Sequence, residues 1–394
     1  MLSHGAQMTR SHLIQLDPTE AQRRYCRQAC GTSRFVYNWA LAEWNRRYEA
    51  GEKKIKANDL KKQFNAGKYA EFPWLRGVHR DAHSQPFAAV QKAYANFFAG
   101  RAKHPRFHKK GQRDSFYVAN DKLKCEGGAV RLPVIGLVRM TETLRFDGKV
   151  MSATVSERAG RWFIAVSVEM PDAPVASNNG AAIGIDLGLA TFATLSTGEK
   201  IEAPRPLRRL GKKLACVSRQ HSRKVKGSSN RRKSALKLAR LHYRISCIRK
   251  DFLHKLSTRL SKNHARIGLE TLNVRGMMAN RCLAKAISDQ GWSEFGRMLE
   301  YKAEQYGSTV ERVGMFYPSS KTCSVCGTAV KHMPLSVRTW TCGECGAAHD
   351  RDVNAAQNLV RAASPDIKPV DRRRQARRDE AGTLKGAHLS AQER

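Results

Sequence analysis

Two cysteine pairs of the same form, Cys323-x-x-Cys326-Gly and Cys342-x-x-Cys345-Gly, stand fifteen residues apart. A C-x-x-C-G turn aims two thiolates at one point, and a hairpin between two such knuckles brings four together, the donor set of a tetrahedral zinc site. With every position filled by protein, such a metal is structural and leaves no open site for chemistry. Two disulfides or four free thiols are the competing readings, and neither accounts for the paired spacing in a reducing compartment. The other six cysteines (Cys26, Cys30, Cys125, Cys216, Cys247 and Cys282) are scattered. They read as reduced core or surface thiols. The ribbon is expected at 318–349, where Lys331, Arg338 and Trp340 could touch nucleic acid.

The 394 residues carry 71 Lys and Arg against 34 Asp and Glu, a formal charge of +37. Solubility needs far less. An excess of this size suits a protein that neutralises many phosphates and releases their counterions, so nucleic acid is the expected partner. A membrane partner is not expected. No apolar run approaches about 18 residues, and the opening "MLSHGAQMTRSHL" has no apolar signal core. The expected location is the cytoplasm or nucleoid.

Periodicity divides the chain. From Pro18 to about Phe98, apolar and aromatic residues recur at three- and four-residue spacings and predict helices whose Trp and Phe stripes form core. "RAKHPRFHKKGQR" (101–113) reads as a loop that either is solvated or lies along a phosphate backbone. From Phe116 to about Met170 the period becomes two, with a hairpin turning at "ERAG". "PDAPVASNNG" then reads as a linker, and "AAIGIDLGLATFATLSTG" as a strand, a turn and a second strand. Between Arg205 and Arg266 the one acid is Asp251, and Leu238, Leu241, Ile245, Ile248, Phe252, Leu256 and Leu260 share a helical face. The expectation is a long amphipathic helix whose basic outer side meets a polyanion. Residues 364–394 have almost no large apolar side chains and read as a disordered basic tail.

Against this background a few carboxylates stand out. Asp186 lies in the apolar run "AIGIDLGLA", where a charge costs several kcal/mol unless a backbone N–H set or a divalent cation compensates it. Glu270 closes "ARIGLETLNV", and Asp350 and Asp352 open the amphipathic run "AAHDRDVNAAQNLV", where either could be an N-cap. An Asp in a first strand, a Glu ending a later strand and an Asp opening a helix before the C-terminus form the layout of an RNase H-like nuclease core. Three such carboxylates can hold two Mg²⁺ ions, one lowering the pKa of the attacking water and the other stabilising the leaving 3′ oxygen.

The segments "GIDLGLATFATLSTG", "GLETLNVRGM", "YPSSKTCSVCG", "TCGECGAAHDRDVNAAQNL" and the N-terminal "LDPTEAQ…GTSRFVYNWAL" resemble the TnpB family, encoded by small transposable elements and akin to an ancestor of type V CRISPR effectors. The resemblance spans about residues 8 to 362. It implies an α/β fold plus a β module. In that scheme a β wedge module (1–17 and 116–175) carries a helical recognition domain (18–115). A RuvC-like nuclease domain (181–317 and 350–363) follows, with its basic segment at 205–266 and the zinc ribbon, or target-nucleic-acid-binding insert, at 318–349. It also implies an RNA-guided DNA endonuclease. Its partners would be a guide RNA from the transposon end and double-stranded target DNA bearing a short adjacent motif, in a monomeric ribonucleoprotein. By motif, Asp186, Glu270 and Asp352 match the carboxylates that hold catalytic Mg²⁺ or Mn²⁺, with Asp350 competing for the third place. Cys323, Cys326, Cys342 and Cys345 match the zinc ligands. Met8, not Met1, would be the usual start. A nuclease-inactive RNA-guided regulator and a guide-independent nuclease or recombination accessory protein are the alternative functions.

Overall fold

The computed structural model describes residues 9–112, 114–170, 178–334 and 336–363. The choice between Met1 and Met8, most of the expected linker and the expected tail lie outside the described residues. The chain divides into two compact units, Met1–Pro174 and Val175–Arg394.

In the first unit, β1 (Thr9–Asp17) leads into α1 (Glu20–Glu49). Thr19 starts that helix because its hydroxyl accepts from the Gln22 amide while the Gln22 side chain accepts from the Thr19 amide, a reciprocal cap that satisfies two otherwise unpaired N–H groups. Helices α2 (Ala57–Glu71) and α3 (Arg80–Phe98) follow, then β2 (Ser115–Ala119), β3 (Lys124–Glu126), β4 (Ala129–Leu132), β5 (Gly136–Met140), β6 (Lys149–Arg158) and β7 (Arg161–Glu169). The strands form one antiparallel sheet in the order β2-β6-β7-β1-β5-β4-β3. The β6–β7 hairpin turns at Ala159 and Gly160, both at positive φ, the two-residue geometry whose twist matches the strands. Ile14, Val118, Val155 and Ile164 from the sheet meet Tyr25, Cys26 and Ala29 of α1 in one core, and Trp44, Leu60, Phe87 and Val90 make a second core among the helices. The aromatic stripe is therefore mostly packing, although Trp74 and Phe98 stay exposed.

The second unit begins with β8 (Ile183–Leu187), β9 (Ala193–Leu195) and β10 (Lys200–Ile201). Helices α4 (Pro206–Arg209), α5 (Gly211–Ser222) and the 35-residue α6 (Ser229–Asn263) cover the basic stretch. After them come β11 (Arg266–Glu270), α7 (Val274–Met277), α8 (Ala284–Gln290), α9 (Trp292–Tyr306) and β12 (Thr309–Val313). A small ribbon, β13 (Thr339–Thr341) with β14 (Ala348–Asp350), precedes α10 (Arg351–Ala362). The main sheet is mixed, ordered β10-β9-β8-β11-β12, with β8, β11 and β12 parallel and β9 antiparallel to β8.

Helix α6 departs from the single stripe expected for it. Leu241 and Ile245 pack on Val217 of α5, whereas Leu253, Leu256 and Leu260 join Phe295 and Leu299 of α9 in the core beneath the sheet. Leu253, which the predicted set omits, is fully buried at the border of that face, where α9 crosses. The crossing is pinned by buried Lys302, whose Nζ donates to the His254 carbonyl and to the Ser257 and Thr258 hydroxyls at 2.7–2.8 Å.

Candidate active site

Strands β8 and β11 run side by side with Ile185 opposite Leu269, so the next residues, Asp186 and Glu270, emerge together at the carboxyl ends of two parallel strands. In open sheets this end is where ligands bind. Helix α10 lies directly on the same two strands. A Cβ on Gly184 would sit 1.9 Å from the Ala356 carbonyl oxygen, and one on Gly268 would sit 2.4 Å from that of Leu359. Only glycine at both positions lets the helix backbone come this close. Ala355 and Ala356, both buried, present the matching small side chains. Asp352 is one turn N-terminal to Ala356, on the same helix face, and so projects toward the strand ends.

The three acids interact. Burial first, then the Glu270 and Asp352 carboxylates, push Asp186 well above the usual carboxylate range, and Arg351 and Arg338 oppose them only in part. Asp186 keeps some surface open but is closely surrounded by protein. Burial also raises Glu270, although its Oε1 accepts the Leu187 amide at 2.9 Å. Burial and like charge thus hold Asp186 toward its protonated form, and a cation entering beside it would favour the ionised one.

Asp350 and Asp352 separate cleanly. Asp350 caps α10: its Oδ1 accepts from the Asp352 and Val353 amides at 3.0 and 3.1 Å, and its Oδ2 pairs with Lys200 at 2.7 Å. Burial works against it, but Lys200 and the helix amides hold the carboxyl below its ordinary value. Asp352 faces the strand ends and meets Arg338 of the ribbon at 3.5 Å. Asp350 is thus the helix cap, whereas Asp352, two residues on, is the one whose charge acts on Asp186. Of the three ribbon residues expected to face nucleic acid, Arg338 points at Asp352 and Trp340 packs against His349, with ring centroids 4.7 Å apart and the planes tilted by 37°.

The ribbon is held by side chains that sequence reasoning passed over. Arg351, between the two acids, is buried and donates to the Pro334 and Val337 carbonyls. Asn354 and Asn358, each 1% exposed, donate to the Thr322 and Ser319 carbonyls, and Asn354 also accepts the Ser324 amide at 2.8 Å. The available signal was two amides spaced i, i+4 on the face of α10 that should be apolar.

The four cysteine sulfurs lie within 4.8 Å of one another, as no other such group among the described residues does. Cys323 and Cys345 are 3.7 Å apart and Cys326 and Cys342 are 3.6 Å apart. A tetrahedral ion with Zn–S bonds of about 2.3 Å would set its sulfurs roughly 3.8 Å apart, so the residues fit the group. The two knuckles repeat each other: Gly327 and Gly346 take positive φ and donate to the Cys323 and Cys342 carbonyls at 2.9 Å. Hydrogen bonding with Thr328 lowers the Cys326 thiol to about 6. His349 Nε2 lies 3.1 Å from the Cys323 sulfur.

Comparison with known proteins defines the class. A Cas12f1 chain, solved by cryo-EM in complex with sgRNA and target DNA, superposes with a TM-score of 0.54 at 14% identity, over 87% of this chain and 82% of that one. The two chains share a fold. Residues 165–281 match the OrfB/IS605 model described as a probable transposase, and residues 292–359 match the Cas12f1-like TNB domain. Residues 8–53 match a helix-turn-helix model, although within them Thr9–Asp17 form β1 and Glu20–Glu49 one unbroken helix. A Streptomyces pristinaespiralis protein named "Putative RNA-guided DNA endonuclease" is 39% identical over 366 residues, 90% of each chain. An Escherichia coli K12 protein of the same description, InsQ, is 37% identical over 366 residues, 89% of this chain and 91% of its own. The chain belongs to the TnpB family. Among the described residues, no helix is long and apolar enough to cross a membrane.

Proposed function

We propose that this protein is an RNA-guided DNA endonuclease of a transposable element, hydrolysing phosphodiester bonds at Asp186, Glu270 and Asp352. The observation that carries this reading is the seating of α10 on Gly184 and Gly268, which brings three distant carboxylates to one sheet edge. These acids would hold two Mg²⁺ or Mn²⁺ ions, whose chemistry supplies an activated water and charge neutralisation at the leaving oxygen. Asp186 and Glu270, both raised toward the protonated form, would have to lose their protons to hold a cation, so loading of the site should strengthen with rising pH. Leu187 N–H orients Glu270, and Asp350 fixes the start of α10 so that Asp352 keeps its aim. Zinc in the four-cysteine site would hold the ribbon rigid, and Arg351, Asn354 and Asn358 pass that rigidity to the helix carrying Asp352. Basic α5 and α6 would carry the phosphate contacts. Guide and target are the partners proposed, by analogy with the named relatives.

The test is cleavage of a randomised target library by protein co-expressed with transposon-end RNA, with sequencing of the RNA that copurifies. An enriched RNA species and guide-matched cuts that EDTA abolishes are expected. Cleavage without enriched RNA would leave a guide-independent nuclease, and guided binding without cleavage would leave a regulator.

A further inference from the structure

Beside Glu270 the structure holds a feature that metal chemistry does not use. After β11 and β12 the chain pairs once more, Thr271 N–H to the Val313 carbonyl at 3.1 Å, and then the two segments diverge. They leave a crevice of about 260 Å³ with Glu270 in its wall. Leu272, Met277, Met315 and the Tyr317 ring form the apolar sides. Tyr317 is fixed there, its hydroxyl reaching the Asn358 carbonyl of α10 at 3.5 Å. The turn closed by Tyr317 N–H on the Gly314 carbonyl throws Met315 and Phe316 outward at its corners. Phe316 is 94% exposed, more than any other large hydrophobic side chain among the described residues. Phe316 is not itself part of the crevice wall but stands between two residues that are, Met315 and Tyr317, and the three consecutive exposed side chains make an apolar rim at its mouth.

We infer that this crevice and Phe316 form a base-stacking subsite for one unpaired nucleobase of the DNA strand being cut, next to the scissile phosphate. The inference rests on the endonuclease reading. Three properties select the occupant. Among the described residues no Lys or Arg lines the crevice, so a phosphate would find no side-chain cation in it. Its volume lies below the roughly 300 Å³ at which drug-sized pockets begin, leaving room for a single flat ring and excluding a base pair. Because Glu270 belongs both to the acidic centre and to the crevice wall, a nucleotide with its phosphate at the carboxylates has its own base, or its neighbour's, at the opening. Two Met side chains adapt to rings of different outline, and stacking accepts every base, so the subsite grips the strand without reading its sequence.

The experiment is an abasic scan. Guided cleavage is measured on targets in which each base around the cut site is removed in turn, with wild type, Phe316→Ala and Phe316→Trp. In wild type, one position beside the cut should slow cleavage about tenfold when its base is missing. Phe316→Ala should slow the intact target by the same factor, should slow the abasic target no further, and Phe316→Trp should restore the rate. An exposed side chain leaves the fold unaffected, so misfolding does not confuse the result. A flat scan, or additive losses, overturns the subsite. A second readout stands apart from cleavage: single-stranded DNA carrying 2-aminopurine, bound in EDTA, should be quenched by wild type and not by Phe316→Ala. If no substrate is cut, the endonuclease reading falls and the quench alone decides the subsite, equal fluorescence with both proteins overturning it.

Discussion

Two polar centres in the second unit are built in opposite ways. The cysteine site draws its four ligands from positions 323 to 345, and each half is a self-contained knuckle with its own glycine and its own amide hydrogen bonds. The acidic centre draws Asp186, Glu270 and Asp352 from two strands and a helix, with the basic helices, a further strand and the ribbon between them in sequence. Local spacing makes the first, so its geometry survives wherever the hairpin closes. Packing makes the second, and its precision depends on a glycine pair far from any acid in kind. The ribbon links the two through Arg351, Asn354 and Asn358.

Removing a ligand should hit each centre differently. Asp186→Ala should reduce DNA cleavage by about 10³-fold or more while RNA and target binding stay near wild type, and Asp186→Ala/Glu270→Ala should look like either single variant, because the acids act as a unit. A wild-type rate in Asp186→Ala would dissolve the acidic centre as a catalytic site. Cys342→Ser should instead lose one zinc per chain by elemental analysis and lower the stability of the second unit by several kcal/mol, since coordination energy in such ribbons is also folding energy. An unchanged melting curve with no metal would show that the knuckles stand without it.

Gly268→Ala probes the packing that joins the strands to α10. Its Cβ would meet the Leu359 carbonyl, and relief requires α10 to shift; overpacking of this kind costs about 1–3 kcal/mol. Cleavage should fall far more than stability, because Asp352 moves with the helix, whereas the zinc content should stay at one. A parallel loss of zinc would mean that ribbon and helix form one rigid piece.

The first unit supplies a control in which a titratable group affects folding alone. His83, 2% exposed with its Nδ1 unpartnered, is held by burial down to about 4. Between that value and its unfolded pKa of about 6.5, the unfolded chain binds a proton that the folded chain refuses. Stability should therefore fall as pH drops from 6.5 toward 4. His83→Gln should flatten that part of the melting-temperature profile by a margin of order 1 kcal/mol, and an identical slope would show the group titrating freely.

Asp350→Ala should give the smallest effect, about 1 kcal/mol from the lost cap, with cleavage reduced only severalfold. If it instead matched Asp352→Ala in abolishing cleavage, the third acid would move two residues and the distinction between cap and ligand would vanish.

The cysteine site was legible because its constraints are short-range: knuckle spacing and turn glycines decide it before any long-range contact forms. The carboxylates were legible as isolated oddities, an acid in an apolar strand and an acid ending another, and family resemblance supplied their grouping. The choice between Asp350 and Asp352 was not legible, since both can cap a helix. The structure shows Asp350 as the cap, its other oxygen paired with Lys200 from a strand 150 positions away. The same holds for Leu253, buried by a helix that crosses it, and for Asn354 and Asn358, whose polarity on an apolar face makes sense only once the ribbon's carbonyls lie against them. Periodicity, spacing and charge are properties of neighbours along the chain, and they determined the elements, the thiol site and the basic character of the surface. Which face of α10 meets the sheet, and hence which acids converge, depends on how closely two backbones can approach, and only the packed structure decides that.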